Sequence, residues 1–125
     1  MGGKNVFVDT NVIIYLIGGH RNAADLLSEQ TLHFSFITEI ELLSFKRLSR
    51  KDEQIIRQIL AEGLVFQSDT HITSLATKIR NNYGLEVPDA IIAASAIRYN
   101  MPLISADADL SKVRGLQLIQ YSLNS

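Results

Sequence analysis

The 125-residue sequence has no cysteine and no tryptophan, only two prolines, and almost no net charge, with 13 acidic residues against 12 lysines and arginines. Each shortage closes a class of protein. Without cysteine there is no disulfide framework and no thiolate metal site, which fits a reducing compartment. A formal charge of −1 lacks the basic excess of a general nucleic-acid binder. An acidic centre inside a basic rim would sum to the same number, so a nuclease stays open. The longest small and apolar run, residues 90–97, is far too short to span a bilayer, and the first residues lack the basic-then-apolar order of a signal peptide. The expectation is a soluble, cytoplasmic protein with no membrane partner. With 46% hydrophobic and 20% charged residues, residues 1–125 read as one globular domain, too short for a second. Met1-Gly2-Gly3 reads as flexible lead-in.

What the chain does have is organised around Val6-Phe7-Val8-Asp9-Thr10-Asn11-Val12, where an apolar run breaks off at a carboxylate, a hydroxyl and an amide. A short β-branched and aromatic run reads as a strand buried on both faces of a parallel sheet. Asp9 then stands at its carboxyl end, the edge where open α/β sheets bind ligands.

The remainder alternates between helical and strand periods. Helices are expected over residues 12–17, ended by Gly18-Gly19, and 22–29, followed by a strand over 33–37. Thr38 reads as the N-cap of a helix reaching 48, with Glu41 in the capping-box position. Asp52 reads as the cap of a helix whose Ile55, Ile56, Ile59 and Leu60 form one stripe, ended by Gly63. A strand over 64–66 precedes a helix capped by Asp69, and Pro88 opens a helix over 89–99. Strands over 103–104 and 116–121 flank a short helix over 107–113. Strands separated by helices mean βαβ units, hence an α/β fold: a parallel sheet in a three-layer α/β/α sandwich.

Four carboxylates stand where a strand ends or a helix begins. Asp9 ends the first strand, and helix capping would explain it equally well. Glu41 shares a helical face with Ile37, Phe45 and Leu48, and a carboxylate on a core-facing stripe costs several kcal/mol or so unless something pairs with it. Glu39 lies opposite and reads as surface. Asp89 enjoys the helix dipole in a first turn, yet it lines up with Ile92, Ala93 and Ala96, the face that should meet the sheet. Asp107 and Asp109 follow Leu103-Ile104-Ser105-Ala106 at the same edge as Asp9, and Ser105 is placed to hold a neighbouring carboxylate. The cationic run 46–51 is a candidate rim, although a helix C-terminus attracts cations anyway.

Were these acids to converge, two carboxylates about 5 Å apart would repel by roughly 3 kcal/mol at an effective dielectric near 20. Protons or a cation must then neutralise them. Hard oxygen donors select Mg²⁺ or Mn²⁺ over zinc, and such a site can activate water against a phosphodiester.

The motifs Val8-Asp9-Thr10-Asn11, Ile37-Thr38-Glu39-Ile40-Glu41-Leu42, Val87-Pro88-Asp89-Ala90-Ile91-Ile92-Ala93-Ala94 and Leu103-Ile104-Ser105-Ala106-Asp107, in this order, resemble the PIN-domain ribonucleases. Within them the chain is most similar to VapC-type toxins of toxin–antitoxin pairs. The resemblance implies a five-stranded sheet of order 3-2-1-4-5 and an acidic Mg²⁺ or Mn²⁺ site that cuts RNA. It maps the acids onto Asp9, Glu41, Asp89 and Asp107, and the orienting hydroxyl–amide pair onto Thr10 and Asn11. It also implies a homodimer neutralised by an antitoxin, whose groove is expected on the helices between Thr38 and Gly63. Ser105 stands where the family often has threonine, which keeps the hydroxyl. Leu110 stands near a position that is often aromatic. Asp109 is the competing candidate for the fourth acid.

Three other readings differ in chemistry. A receiver-type signalling domain needs an acidic pair after the first strand and a lysine after the fifth, where this chain has Asp9-Thr10 and Tyr121-Ser122-Leu123. A haloacid-dehalogenase-type phosphatase needs a second aspartate where Asn11 stands. A non-catalytic PIN-type module that binds RNA or protein would not need all four acids.

Overall fold

In the computed structural model, which describes residues 3–123, strand β1 (Asn5–Val8) is the central strand of a five-stranded sheet. Its sequence explains the position. Val6 and Val8 turn to one face and Phe7 to the other, and all three are buried. The remaining strands are β2 (Thr31–Ser35), β3 (Leu64–Phe66), β4 (Leu103–Ser105) and β5 (Leu118–Gln120). All are parallel, in the order β3-β2-β1-β4-β5 that the family resemblance implies. Parallel neighbours need crossover connections, which is why helices cover both faces.

On the Val6 and Val8 face lie α1 (Thr10–Ile17), α2 (Arg21–Leu27), α3 (Phe36–Leu43) and α4 (Arg50–Glu62), which contribute Ile13, Leu27, Leu42 and Ile56 to one apolar cluster with Phe34 and Ile104. On the Phe7 face lie α5 (Thr70–Tyr83) and α6 (Val87–Arg98), bringing Ile72, Ile79 and the run from Ile92 to Ala94 against Phe7 and Leu103. Phe66 stacks on Tyr99 at 4.4 Å and on His33 at 5.6 Å, and stands 5.6 Å from Phe7. His33 is buried in this stack with Nε2 against Asn5 Oδ1, and burial lowers its pKa, so it belongs to the core. Among the described residues no helix is long and apolar enough to cross a membrane. Met1 and Gly2 of the expected lead-in lie outside the described residues.

The structure moves several boundaries. Strand β2 stops at Ser35, whose hydroxyl accepts from the Ile37 N–H and caps α3, so Phe36 and Ile37 are helical and Thr38 is not the cap. Helix α3 ends at Leu43 rather than 48, which leaves Phe45 off its wheel and 46% exposed. Helix α4 begins at Arg50 under Ser49, whose hydroxyl accepts from the Asp52 N–H; Asp52 is therefore inside the first turn. Asp69 does cap α5, accepting from the Ile72 N–H. The expected helix over 107–113 is a 3-10 turn, Ala108–Lys112, capped by Asp107.

Candidate active site

Parallel strands deliver their carboxyl ends to one edge, so Asp9 after β1, Ser35 at the end of β2 and Ser105 at the end of β4 come together there. Asp9 is only 4% exposed. Its Oδ1 accepts from the Thr10 N–H and its Oδ2 from the Ser105 hydroxyl, both at 2.7 Å, so capping and a fixed rotamer are one arrangement. Burial raises the Asp9 pKa above the usual carboxylate value; those two hydrogen bonds oppose the rise, and Glu41 and Asp107 add to it.

Glu41 lies one and a half turns into α3, half-buried, and its Oε1 accepts from the Thr10 hydroxyl at 2.6 Å. Thr10 therefore holds Asp9 through its backbone and Glu41 through its side chain. Ser105 is fully buried; it donates to Asp9 and accepts from the Asp107 N–H at 3.0 Å, coupling the first and fourth acids. Asn11 accepts from the Ala106 N–H at 3.2 Å, which locks the start of α1 to the loop after β4. Thr10, Asn11 and Ser105 thus each have a hydrogen-bond partner at this edge.

Asp89 sits in the first turn of α6, where the helix dipole favours its charge. Two opposing effects are larger: burial, and repulsion by Asp9, Asp107, Glu41 and Glu86, which together push its pKa up to about 6. Asp9, Asp107 and Glu41 are thus near enough to act on the charge of Asp89. Asp109 does not join them. It is exposed, and only its backbone N–H enters the loop, donated to Asp107 Oδ1 at 2.9 Å.

The raised Asp89 pKa carries a sign. Between its ordinary value of 3.8 and about 6, the folded chain holds this proton and the unfolded chain releases it, so stability falls as pH rises through that window. Metal-free Asp89→Asn is expected to melt higher than the parent at pH 7 and to lose most of that gain at pH 4.5. An equal gain at both values would show that the cost of ionising Asp89, set by burial and by the neighbouring acids, is not its source.

The donors are hard oxygens, which suits a divalent cation such as those of P-loop and polymerase sites more than zinc. Among the described residues, however, no three His, Cys, Asp or Glu side chains are grouped closely enough to hold a metal ion. The site is therefore no closed protein cage.

Sequence reading missed one member of this network. Thr38, read as a cap, is fully buried with its hydroxyl 3.1 Å from that of Thr10. The signal was present in the spacing Ser35-x-x-Thr38-x-x-Glu41, which sets Thr38 and Glu41 one turn apart on one helical face.

Residues 6–116 match the PIN domain family, and the chain belongs to that family of nucleases. Within it, the likeness is to the VapC-type toxins of toxin–antitoxin pairs. A toxin–antitoxin complex from Klebsiella pneumoniae superposes with a TM-score of 0.80 at 28% identity, covering 92% of this chain and 96% of that one. VapBC2 from Rickettsia felis, bound to a promoter DNA fragment, gives 0.79 at 20% identity over 94% and 99%. VapBC-1 from nontypeable Haemophilus influenzae gives 0.77 at 23% identity over 93% and 97%. No curated protein matches in the sequence comparison.

Proposed function

We propose that residues 1–125 form a single PIN-type endoribonuclease domain, the toxin of a toxin–antitoxin pair, acting with Mg²⁺ or Mn²⁺ through Asp9, Glu41, Asp89 and Asp107. The observation that carries the reading is the hydrogen-bond network that gathers Asp9, Glu41 and Asp107 around Thr10 and Ser105, beside a buried Asp9 and a half-buried Asp89 whose pKa values are raised first by burial and then by the charges of neighbouring acids. A protein retains such a cluster against its cost when a cation is to neutralise it.

A divalent cation bound there supplies charge neutralisation for the phosphodiester and acidifies a water. The chain's own residues set the stage for it. Thr10 and Ser105 fix the Asp9 carboxylate, Ser105 also draws Asp107 to it, and Asn11 keeps the two loops in register. Asp89, half-buried with a pKa of about 6 in the metal-free protein, would be held ionised by a cation beside it.

For partners, the reading is an RNA substrate, a homodimer and an antitoxin. A cavity of about 200 Å³ on the α1, α3 and α4 side is lined by Ile14, Ile17, Leu42, Phe45, Leu48 and Ile56, with two cations, Lys46 and Arg47, and one acid, Asp52, also on its lining. Ile14 is 38% exposed and Phe45 46%. An antitoxin segment with apolar anchors and acidic neighbours fits that surface. The non-catalytic module is the competing reading.

Purified protein should cleave RNA in Mg²⁺ or Mn²⁺, stop in excess chelator and resume when metal is restored. Fourth-acid assignment follows from Mn²⁺ titration: Asp107→Asn is expected to weaken binding, whereas Asp109→Asn leaves it unchanged. RNA untouched under every metal condition would favour the binding module.

A further inference from the structure

Thr38 carries no role in the mechanism above, although it is a polar residue without solvent exposure. Its position is not explained by capping, because Ser35 caps α3. What it meets is the Thr10 hydroxyl. That hydroxyl points at two acceptors, Glu41 Oε1 at 2.6 Å and Thr38 Oγ1 at 3.1 Å. A threonine has one hydroxyl proton, so it can serve one of them fully at a time. The shorter, charge-assisted bond to the carboxylate is the stronger, and Thr38 is the second place.

This arrangement matters because the Thr10 bond fixes Glu41, one of the acids of the proposed site, through its Oε1. Releasing Glu41 would leave the Thr10 hydroxyl, only 7% exposed, without an acceptor, and a stranded buried donor is costly. Rotation toward Thr38 Oγ1 removes that cost without moving the backbone.

We propose that Thr38 is a positioning residue: it receives the Thr10 hydroxyl when Glu41 leaves to join a cation, and so makes Glu41 available to the site. The proposal rests on the metal-dependent reading for the destination of Glu41, but its first half concerns the metal-free protein alone. The signal is a handover between two acceptors one helical turn apart.

A double-mutant cycle on metal-free protein tests that half. In Thr38→Val the Thr10 hydroxyl stays on Glu41, and in Glu41→Ala it turns to Thr38, so each single variant keeps one acceptor. The double variant strands the hydroxyl, and its melting temperature should drop by more than the two single changes added together. Additive changes would overturn the handover. Thr38→Ala replaces Thr38→Val should valine crowd the site, since it also lacks the hydroxyl.

Mn²⁺ alone, followed by electron paramagnetic resonance, tests the second half. Thr38→Val is expected to weaken Mn²⁺ binding by about 10-fold or more, in the range found for residues that act through a ligand. Thr38→Ser should bind as the parent does. Unchanged affinity in Thr38→Val, or a loss in Thr38→Ser equal to that in Thr38→Val, would overturn the role of the hydroxyl. A parent protein that binds no Mn²⁺ would overturn the metal-dependent reading and the destination of Glu41, while the metal-free cycle still decides the handover.

Discussion

Replacing Asp9 by asparagine is expected to lower RNA cleavage by about 10³-fold or more, since several kcal/mol of transition-state stabilisation are lost, while the metal-free protein melts at the same temperature or higher. The two halves have one origin. Asp9 is buried, and burial with the nearby charges of Glu41 and Asp107 makes its ionised form expensive. Asparagine removes the charge and keeps the shape. Its carbonyl oxygen can still accept from the Thr10 N–H, and its amide can donate to the Ser105 hydroxyl oxygen, although the Ser105 proton then loses its present acceptor, which offsets part of the gain. What disappears is the anionic ligand at the centre of the site. Cleavage rate and melting temperature measured on the same preparation check the prediction. Loss of folding would assign Asp9 a structural role, and retained cleavage would move the reaction elsewhere.

The central strand and its carboxylate were legible in the sequence because both depend on local chemistry. An apolar run buried on both faces has few alternatives to an inner strand of a parallel sheet, and Phe7 between Val6 and Val8 satisfies both faces. The placement of Asp9, Asp89 and Asp107 was legible at the level of topology, since each stands where a strand ends or a helix begins, whereas Glu41 lies well inside α3.

The segment from 35 to 52 was less legible. Ser35, Thr38, Ser49 and Asp52 are all residue types that cap helices, and local sequence ranks them poorly. Tertiary contacts decided the outcome: Thr38 was claimed by Thr10, which leaves Ser35 to cap α3. The same early stop at Leu43 removed Phe45 from the stripe drawn through Glu41 and placed it on an open surface. Glu41 faces the site through Thr10 rather than through that stripe. How Asp107 and Asp109 differ also needed the loop itself, where Asp107 caps the 3-10 turn and acts on the charges of Asp9 and Asp89, while Asp109 is exposed.

RNA cut by this protein is expected to carry 5′-phosphate and 3′-hydroxyl ends, with no 2′,3′-cyclic phosphate. The argument is one of available nucleophiles. Cysteine is absent from the sequence. Ser105 is fully buried with its proton on Asp9, and the Thr10 hydroxyl is directed to Glu41 and Thr38, so neither is free to attack phosphorus. His33 is sealed in the aromatic stack against Asn5. A covalent route through these groups is therefore closed. The serious competitor is the ribose 2′-hydroxyl, because Asp89 with a pKa near 6 is suited to remove its proton near neutral pH. The two routes separate cleanly. Water attacking in line does not need the 2′-hydroxyl, so a substrate with a single 2′-deoxy residue at the cleaved position should be cut at a comparable rate and leave a 5′-phosphate. Attack by the 2′-hydroxyl would make that substrate inert and leave a cyclic end on ordinary RNA. It would also lean on Asp89 more than on Asp9, so cyclic ends with cleavage surviving both Asp9→Asn and excess chelator would transfer the chemistry from the acidic cluster to Asp89 alone.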